Sequence, residues 1–171
     1  IVIEELAKVG ASGPGFAVHS DIVAPYIINY GSSQKKKEIL PQMVKGEIIS
    51  AIAMTEPGTG SDLQNIQTKA ILNNNKILLN GSKTFITNGQ NADLVLVVAK
   101  TDITKKAKGI SILLCESDRL GFKKGKNLEK IGMKAQDTSE LFFENVELPL
   151  ENILGVQGNG FYQLMDELPQ E

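Results

Sequence analysis

The densest cluster of chemically able residues in this 171-residue sequence is Met54-Thr55-Glu56-Pro57-Gly58-Thr59-Gly60-Ser61-Asp62. Gly58 and Gly60 let a backbone turn tightly and approach a ligand with no Cβ in the way. Thr55, Thr59, Ser61 and the free amides around them have the donors to meet a phosphate or a heterocycle edge. A tight turn that holds no ligand accounts for the same composition, and both readings stand at this level. The Gly-Lys-Ser/Thr end of a Walker loop is missing, as is the G-x-G-x-x-G spacing of a dinucleotide-binding turn. A second feature is Lys83-Thr84-Phe85-Ile86-Thr87-Asn88-Gly89, strand-like and ending in Asn-Gly. Phe85 and Thr87 face one way at a period of two, an aromatic surface and a hydroxyl able to hold a flat ring. An aromatic side chain buried in a β core is the plainer account of Phe85.

Composition narrows what these features can serve. Eighteen Lys and Arg against 20 Asp and Glu leave a net charge of −2. With no basic excess to neutralise phosphates, nucleic acid and an anionic membrane lose ground as partners. The single cysteine, Cys115, excludes a disulfide framework and a cysteine-based zinc site, and suits a reducing compartment. The single histidine, His19, removes His-rich metal sites and leaves little room for a Ser-His-Asp triad. No metal is expected. The longest apolar run, residues 94–99, has the length of a buried strand and falls far short of the roughly 18 residues of a membrane span. Chemistry here must rest on carboxylates, hydroxyls, backbone amides or a borrowed cofactor.

The elements that position these residues follow from pattern. Residues 3, 6 and 7 share an apolar helical face, and Gly10 punctuates its end. Residues 15–30 are mostly apolar around Pro25, which predicts two short helices or one kinked helix. Ser32 or Ser33 caps a helix over 34–40, whose Lys35, Lys36 and Lys37 read as a solvated face. Pro41 and Gly46 bracket one more turn. From residue 67 to 143 the texture changes to strand-like runs at 68–72, 76–79, 83–87, 94–99, 110–114 and 141–143. Asn73-Asn74-Asn75 and Asn80-Gly81 lie between runs, and Asn-Gly is a strong hairpin signal. Helical character returns over 160–167. The expected fold class is α+β: a helical segment, an antiparallel β-barrel or sandwich, then the start of a helical bundle, with no βαβ rhythm. The predicted division is 1–49, 50–152 and 153–171. Ile1 lacks an initiator Met and a basic leader, so the sequence is expected to be a piece of a longer one.

At the two loops a resemblance emerges. Residues 53–62, then Asn80-Gly81-Ser82-Lys83 leading into Phe85-Ile86-Thr87-Asn88-Gly89, resemble the flavin-binding signatures of the acyl-CoA dehydrogenases. Further matches follow in order: Lys134-Ala135-Gln136-Asp137-Thr138, Glu140-Leu141-Phe142-Phe143-Glu144, residues 146–155 and Gly158-Asn159-Gly160-Phe161. The ending Glu167-Leu168-Pro169-Gln170-Glu171 is most similar to the long-chain subfamily. The resemblance covers residues 20–171 and implies an N-terminal helical domain, a central β domain and a C-terminal helical bundle. It implies FAD between the last two.

Carried over residue by residue, the resemblance implies that Ile52, Ala53, Met54, Thr55, Glu56, Pro57, Gly58, Thr59, Gly60 and Ser61 line the flavin and its pyrophosphate. Thr55 would meet the pyrimidine edge, and Ser61 the phosphates and the acyl-CoA. Phe85 would cover one face of the isoalloxazine, with Ile86 beside it and Thr87 near N5. Ala107 and Lys108 match positions that touch CoA, and Tyr162, Pro169 and Gln170 match substrate-lining ones. Glu171 matches the base that removes an α-proton from the acyl thioester. Such a proton is weakly acidic, so a positioned carboxylate and oxyanion donors are both needed.

The implied activity is α,β-dehydrogenation of a fatty acyl-CoA to the trans-2-enoyl-CoA in β-oxidation, with electron-transfer flavoprotein as acceptor and a homotetrameric holoprotein. The implied location is the mitochondrial matrix in a eukaryote and otherwise the cytoplasm. Two alternatives keep the scaffold: an isovaleryl or other-chain dehydrogenase, and a flavin oxidase acting on acyl-CoA or nitroalkanes. A third is a non-catalytic β domain used for binding. With the rest of the C-terminal bundle beyond residue 171, this piece alone is expected to bind FAD weakly and turn over little. Glu56 and Asp62 are expected to organise their loop, Asp137 and Thr138 to make turn bonds, and Cys115 and His19 to be structural.

Overall fold

Strand β4 (Leu94–Lys100) explains why the chain folds around its middle. Its run Leu-Val-Leu-Val-Val-Ala is apolar at every position, and every one of these side chains is buried. A strand covered on both faces reads as such a continuous run. Val95, Val97 and Ala99 enter a core inside the curl of the sheet, with Leu79, Leu141 and Phe143. Leu94, Leu96 and Val98 enter a second core between the sheet and the helices, with Tyr26, Ile27, Ile39 and Leu164. The computed structural model describes residues 1–73 and 75–170, the side chain of Gln170 excepted.

The strands are β1 (Ser50–Ala53), β2 (Lys69–Asn73), β3 (Lys76–Thr87), β4, β5 (Ile110–Glu116), β6 (Phe122–Asn127) and β7 (Thr138–Pro149). They form one curled, seven-stranded sheet in the order β1-β4-β2-β3-β7-β6, with β5 also paired to β4. The expected antiparallel pairing dominates, but β1 runs parallel to β4, and β2 meets β4 in parallel at Lys69 and Lys100. Three expected features differ. Residues 76–79 and 83–87 belong to one long strand, β3, so Asn80-Gly81 makes no hairpin. Its place is a register shift, where Gly81 takes φ 149° and leaves no room for a Cβ beside Thr68, and Asn80 Oδ1 accepts from the Asn145 amide at 2.8 Å. The polar run Phe122–Asn127 is a strand after all. It lies at the sheet edge, where exposed lysines discourage pairing with another chain.

Helices α1 (Val2–Lys8), α2 (Ala24–Tyr30) and α3 (Ser33–Lys45) precede the sheet, and α4 (Gly160–Glu167) follows it. A π-helical stretch, Ala17–Val23, runs straight into α2, and the Ala24 amide reaches back to the His19 carbonyl. The widened turn sits just before Pro25, which has no amide to donate. Pro41 is carried inside α3, which continues to Gly46 in the left-handed conformation at φ 73°. Ser32 caps α3 by accepting from the Lys35 amide at 3.2 Å. His19 is half-buried and structural. The Ser50 amide donates to its Nδ1 at 3.2 Å, which leaves Nε2 to donate to the Met43 carbonyl at 3.2 Å. Among the described residues no helix is long and apolar enough to cross a membrane.

Candidate functional site

Strand β1 ends at Ala53, and the chain then makes the turn Glu56-Pro57-Gly58-Thr59. The Glu56 amide donates to the Thr59 carbonyl at 2.8 Å, and the Thr59 amide returns to the Glu56 carbonyl at 3.1 Å. The tight-turn reading is therefore correct as geometry. Its inner face is fully engaged. Glu56 is 5% exposed, and its carboxylate accepts from the amides of Gln67 (2.5 Å) and Thr68 (2.9 Å) and from Lys83 Nζ (2.9 Å). The Thr59 hydroxyl donates to the Asn65 carbonyl at 3.2 Å. The outer face is open: a Cβ on Gly58 or Gly60 would meet nothing within 4 Å. Ser61 is exposed, and Ile52, Met54 and Thr55 are half-buried, whereas the Ala53 and Thr59 side chains are buried.

Lys83 is the residue that pattern-reading passed over. It lies on β3 in the inward phase of Ile77 and Leu79, where its side chain is completely buried. A charge so placed needs partners. Nζ donates to the Met54 carbonyl at 2.8 Å and to Glu56 Oε1 at 2.9 Å. Burial, opposed by the Glu56 carboxylate, pulls the ammonium down to about 8. Burial pushes the Glu56 carboxyl up, but the Lys83 ammonium and the hydrogen bonds from Thr68, Gln67 and Lys83 outweigh it, holding Glu56 below the ordinary carboxylate range. The signal available in sequence was a lysine at a core-facing strand position, downstream of a lone glutamate in a Gly/Pro-rich loop.

Immediately after Lys83 the β3–β7 ladder breaks. Lys83 pairs with Leu141 and Ile86 with Ser139, so β3 spends one residue more than β7 over this interval. The bulge frees the Thr84 amide, which donates to the Thr55 carbonyl at 2.9 Å. It also turns Phe85 into the left-handed region at φ 59° and puts its ring outside, 67% exposed. Phe85 is thus no core aromatic. Ile86 points back into the sheet's core at 2% exposure, and Thr87 is half-buried.

The other expected site residues form a second group. Ala107 and exposed Lys108 lie in the 3-10 turn Ala107–Gly109 before β5. That turn abuts the start of α4: Ile110 bridges Asn159, and the Gly158 amide donates to Ser111 Oγ at 2.9 Å. Tyr162 on α4 is 51% exposed, and Pro169 is exposed in the turn Leu168–Gln170. Two bonds fasten α4 to α2, from Asn29 Nδ2 to Glu167 (2.6 Å) and from the Tyr30 hydroxyl to Asp166 (2.7 Å). Glu171 and the Gln170 side chain lie outside the described residues. Asp137 accepts from the Gln90 amide at 2.7 Å, 47 residues away, and Thr138, at the start of β7, accepts from Lys130 Nζ at 2.7 Å, so neither bond is the local turn bond expected.

The residues present fit a large planar cofactor with phosphates. Exposed Phe85 and half-buried Thr87 lie on a strand bonded, through Thr84, to a loop whose bonded side faces inward and whose glycines face open space.

The chain is similar along its length to known proteins. Residues 1–47 match the N-terminal domain of the acyl-CoA dehydrogenases and residues 51–146 the middle domain. The chain is 56% identical over 173 residues to the long-chain specific acyl-CoA dehydrogenase, mitochondrial, of Sus scrofa, covering 100% of this chain and 40% of the relative. It is 38% identical over 174 residues to the isovaleryl-CoA dehydrogenase, mitochondrial, of Pongo abelii, covering 100% and 41%. The crystal structure of an acyl-CoA dehydrogenase from Geobacillus kaustophilus superposes with a TM-score of 0.94 at 53% identity, covering 98% of this chain and 44% of that one. The chain therefore spans about two fifths of the length of the relatives it matches.

Proposed function

This chain belongs to the acyl-CoA dehydrogenase family, whose members are FAD flavoproteins, and from that membership we propose that the protein containing it dehydrogenates long-chain fatty acyl-CoA to trans-2-enoyl-CoA. The observation that carries the flavin part of the reading is the β3 bulge, which holds Phe85 out of the core beside the 54–61 loop. The 56% identity to a long-chain relative supports the substrate class.

In this reading Phe85 covers one face of the flavin ring and Thr87 donates at its edge. Thr55 and the outward amides of residues 57–61 receive the pyrimidine side and the pyrophosphate, with Ser61 also near the acyl-CoA. Where Ala53, Glu56, Thr59 and Ile86 contribute, they do so through backbone, because their side chains face inward. Bound FAD supplies the acceptor for the β-hydride. The Glu171 carboxylate takes the α-proton of the thioester, a proton that a carboxylate can remove only when positioned and when the thioester oxygen is stabilised. Ala107 and Lys108 meet the CoA moiety, and Tyr162, Pro169 and Gln170 line the acyl chain. Residues 1–49 close the N-terminal helical domain, 50–152 form the β domain and 153–171 open the C-terminal bundle. Electron-transfer flavoprotein as acceptor, a homotetramer and a mitochondrial matrix location belong to the same proposal, the last supported by the mitochondrial relatives.

The test compares the full-length protein with its Glu171→Gln variant after a long-chain acyl-CoA is added. Wild type should lose its oxidised-flavin absorbance while the variant stays yellow. Equal bleaching removes Glu171 as the base, and a wild type carrying no flavin removes the enzymatic reading.

A further inference from the structure

We propose that Lys83 is a positioning residue for the flavin-facing surface, fixing the backbone of residues 54–56 at the height where it meets the bulge that carries Phe85. The inference rests on the FAD reading above and deepens it.

The junction is built from two short stretches. On one side are Met54, Thr55 and Glu56; on the other are Lys83 and Thr84. Lys83 Nζ takes the Met54 carbonyl at 2.8 Å and the Glu56 carboxylate at 2.9 Å, and the Thr84 amide takes the Thr55 carbonyl at 2.9 Å. Three consecutive loop residues are thus bonded to two consecutive strand residues, and the next strand residue is Phe85. Glu56 extends the clamp, because the same carboxylate accepts from the Gln67 and Thr68 amides and so gathers both ends of the 56–67 segment. The inward-facing residues of β3 before it, Ile77 and Leu79, are apolar, and so is its ladder partner Leu141. A buried ion pair that serves stability alone can be exchanged for matched apolar residues at little cost. A clamp cannot, since that exchange strips the Met54 carbonyl of its donor and frees the loop backbone just below the proposed flavin contacts.

The experiment uses the full-length protein with Lys83→Met, Glu56→Gln and the double variant Lys83→Met/Glu56→Leu. Three quantities are read: FAD affinity by titration of apoprotein, the shape of the visible band of bound flavin, and the urea midpoint of apoprotein. Lys83→Met should weaken FAD binding by about tenfold or more and alter the band. The double variant should regain part of the apoprotein midpoint lost by Lys83→Met, since no unpaired charge remains, while FAD binding stays weak. Glu56→Gln keeps an acceptor for Lys83 but removes the charge. It should fall between wild type and Lys83→Met, and it carries the test if Lys83→Met fails to fold. Wild-type affinity and spectrum in the folded single variants overturn the proposal. So does a double variant whose FAD affinity returns together with its midpoint, which is the signature of a purely structural pair. A wild-type protein that binds no FAD is a different failure, that of the functional reading, and is seen before any variant is made.

Discussion

The amide of Thr84 donates to the carbonyl of Thr55 at 2.9 Å, joining a bulge in β3 to the loop that leaves β1. An amide inside a regular ladder has its partner on the neighbouring strand. This one is released because β3 carries one residue more than β7 between the Lys83 and Ile86 pairings. The Asn88 side chain ties the same two segments further along by donating to the Ser50 carbonyl at 3.1 Å. Strand and loop are therefore bonded to each other at two places along their length.

Phe85 occupies a backbone conformation that a residue with a Cβ adopts only at a cost, roughly 1–2 kcal/mol. Its ring is 67% exposed, so the free protein gains little burial from it. Phe85→Gly should stabilise the apoprotein by about 1 kcal/mol and weaken FAD binding. Chemical denaturation and FAD titration of the same samples check both. A destabilised apoprotein would show that the ring has packing partners of its own.

The glycines divide sharply. A Cβ on Gly81, at φ 149°, would lie 2.5 Å from Thr68 Oγ1 and 2.7 Å from the Thr68 Cα, and the backbone cannot step aside without breaking the β2–β3 pairing. Gly81→Ala should cost about 2 kcal/mol or more. Gly58→Ala meets nothing and should leave the urea midpoint within about 0.5 kcal/mol of wild type.

Glu56 sets an acid limit. Its carboxyl is held below its ordinary value of 4.5 in the folded protein, so there it binds fewer protons than in the unfolded chain. Stability from this group is therefore complete above about pH 5 and is lost as pH falls through the folded-state value. The gap in urea midpoint between wild type and Glu56→Gln should be flat from about pH 7 to 5 and close below that. A gap that holds its size down to about pH 3 contradicts this assignment.

Cys115 sits in β5 with no exposure, and burial, with the nearby Glu116 charge, pushes its thiol up to about 12. Thiolate is the reactive form, so iodoacetamide at neutral pH should label the protein only after denaturant is added. Mass spectrometry of native and unfolded samples decides it, and rapid native labelling would mean that β5 opens.

Residue types alone determined a good deal here. The unbroken apolar run of β4 announced a buried strand, Ser32 or Ser33 marked the start of α3 although the helix runs on through Pro41 to Gly46, and residues 160–167 read as the helix they form. The Thr/Gly/Ser loop and the Phe85-Ile86-Thr87 run carried enough local identity to name a family, because turns and ligand-facing backbone depend on specific nearby residues. What local sequence could not decide was where long-range pairing would place the exceptions. Asn80-Gly81 has the composition of a hairpin, yet the β3–β7 ladder runs through it, since pairing along twelve residues outweighs one turn preference. Phe85 has the composition of a core residue, yet a one-residue mismatch with β7 turns it outward. Lys83 looks like any surface lysine until the curl of the sheet brings Met54 and Glu56 over it from nearly thirty residues away. A buried charge is stable only with partners that the fold assembles, and those partners are invisible to any short window of sequence.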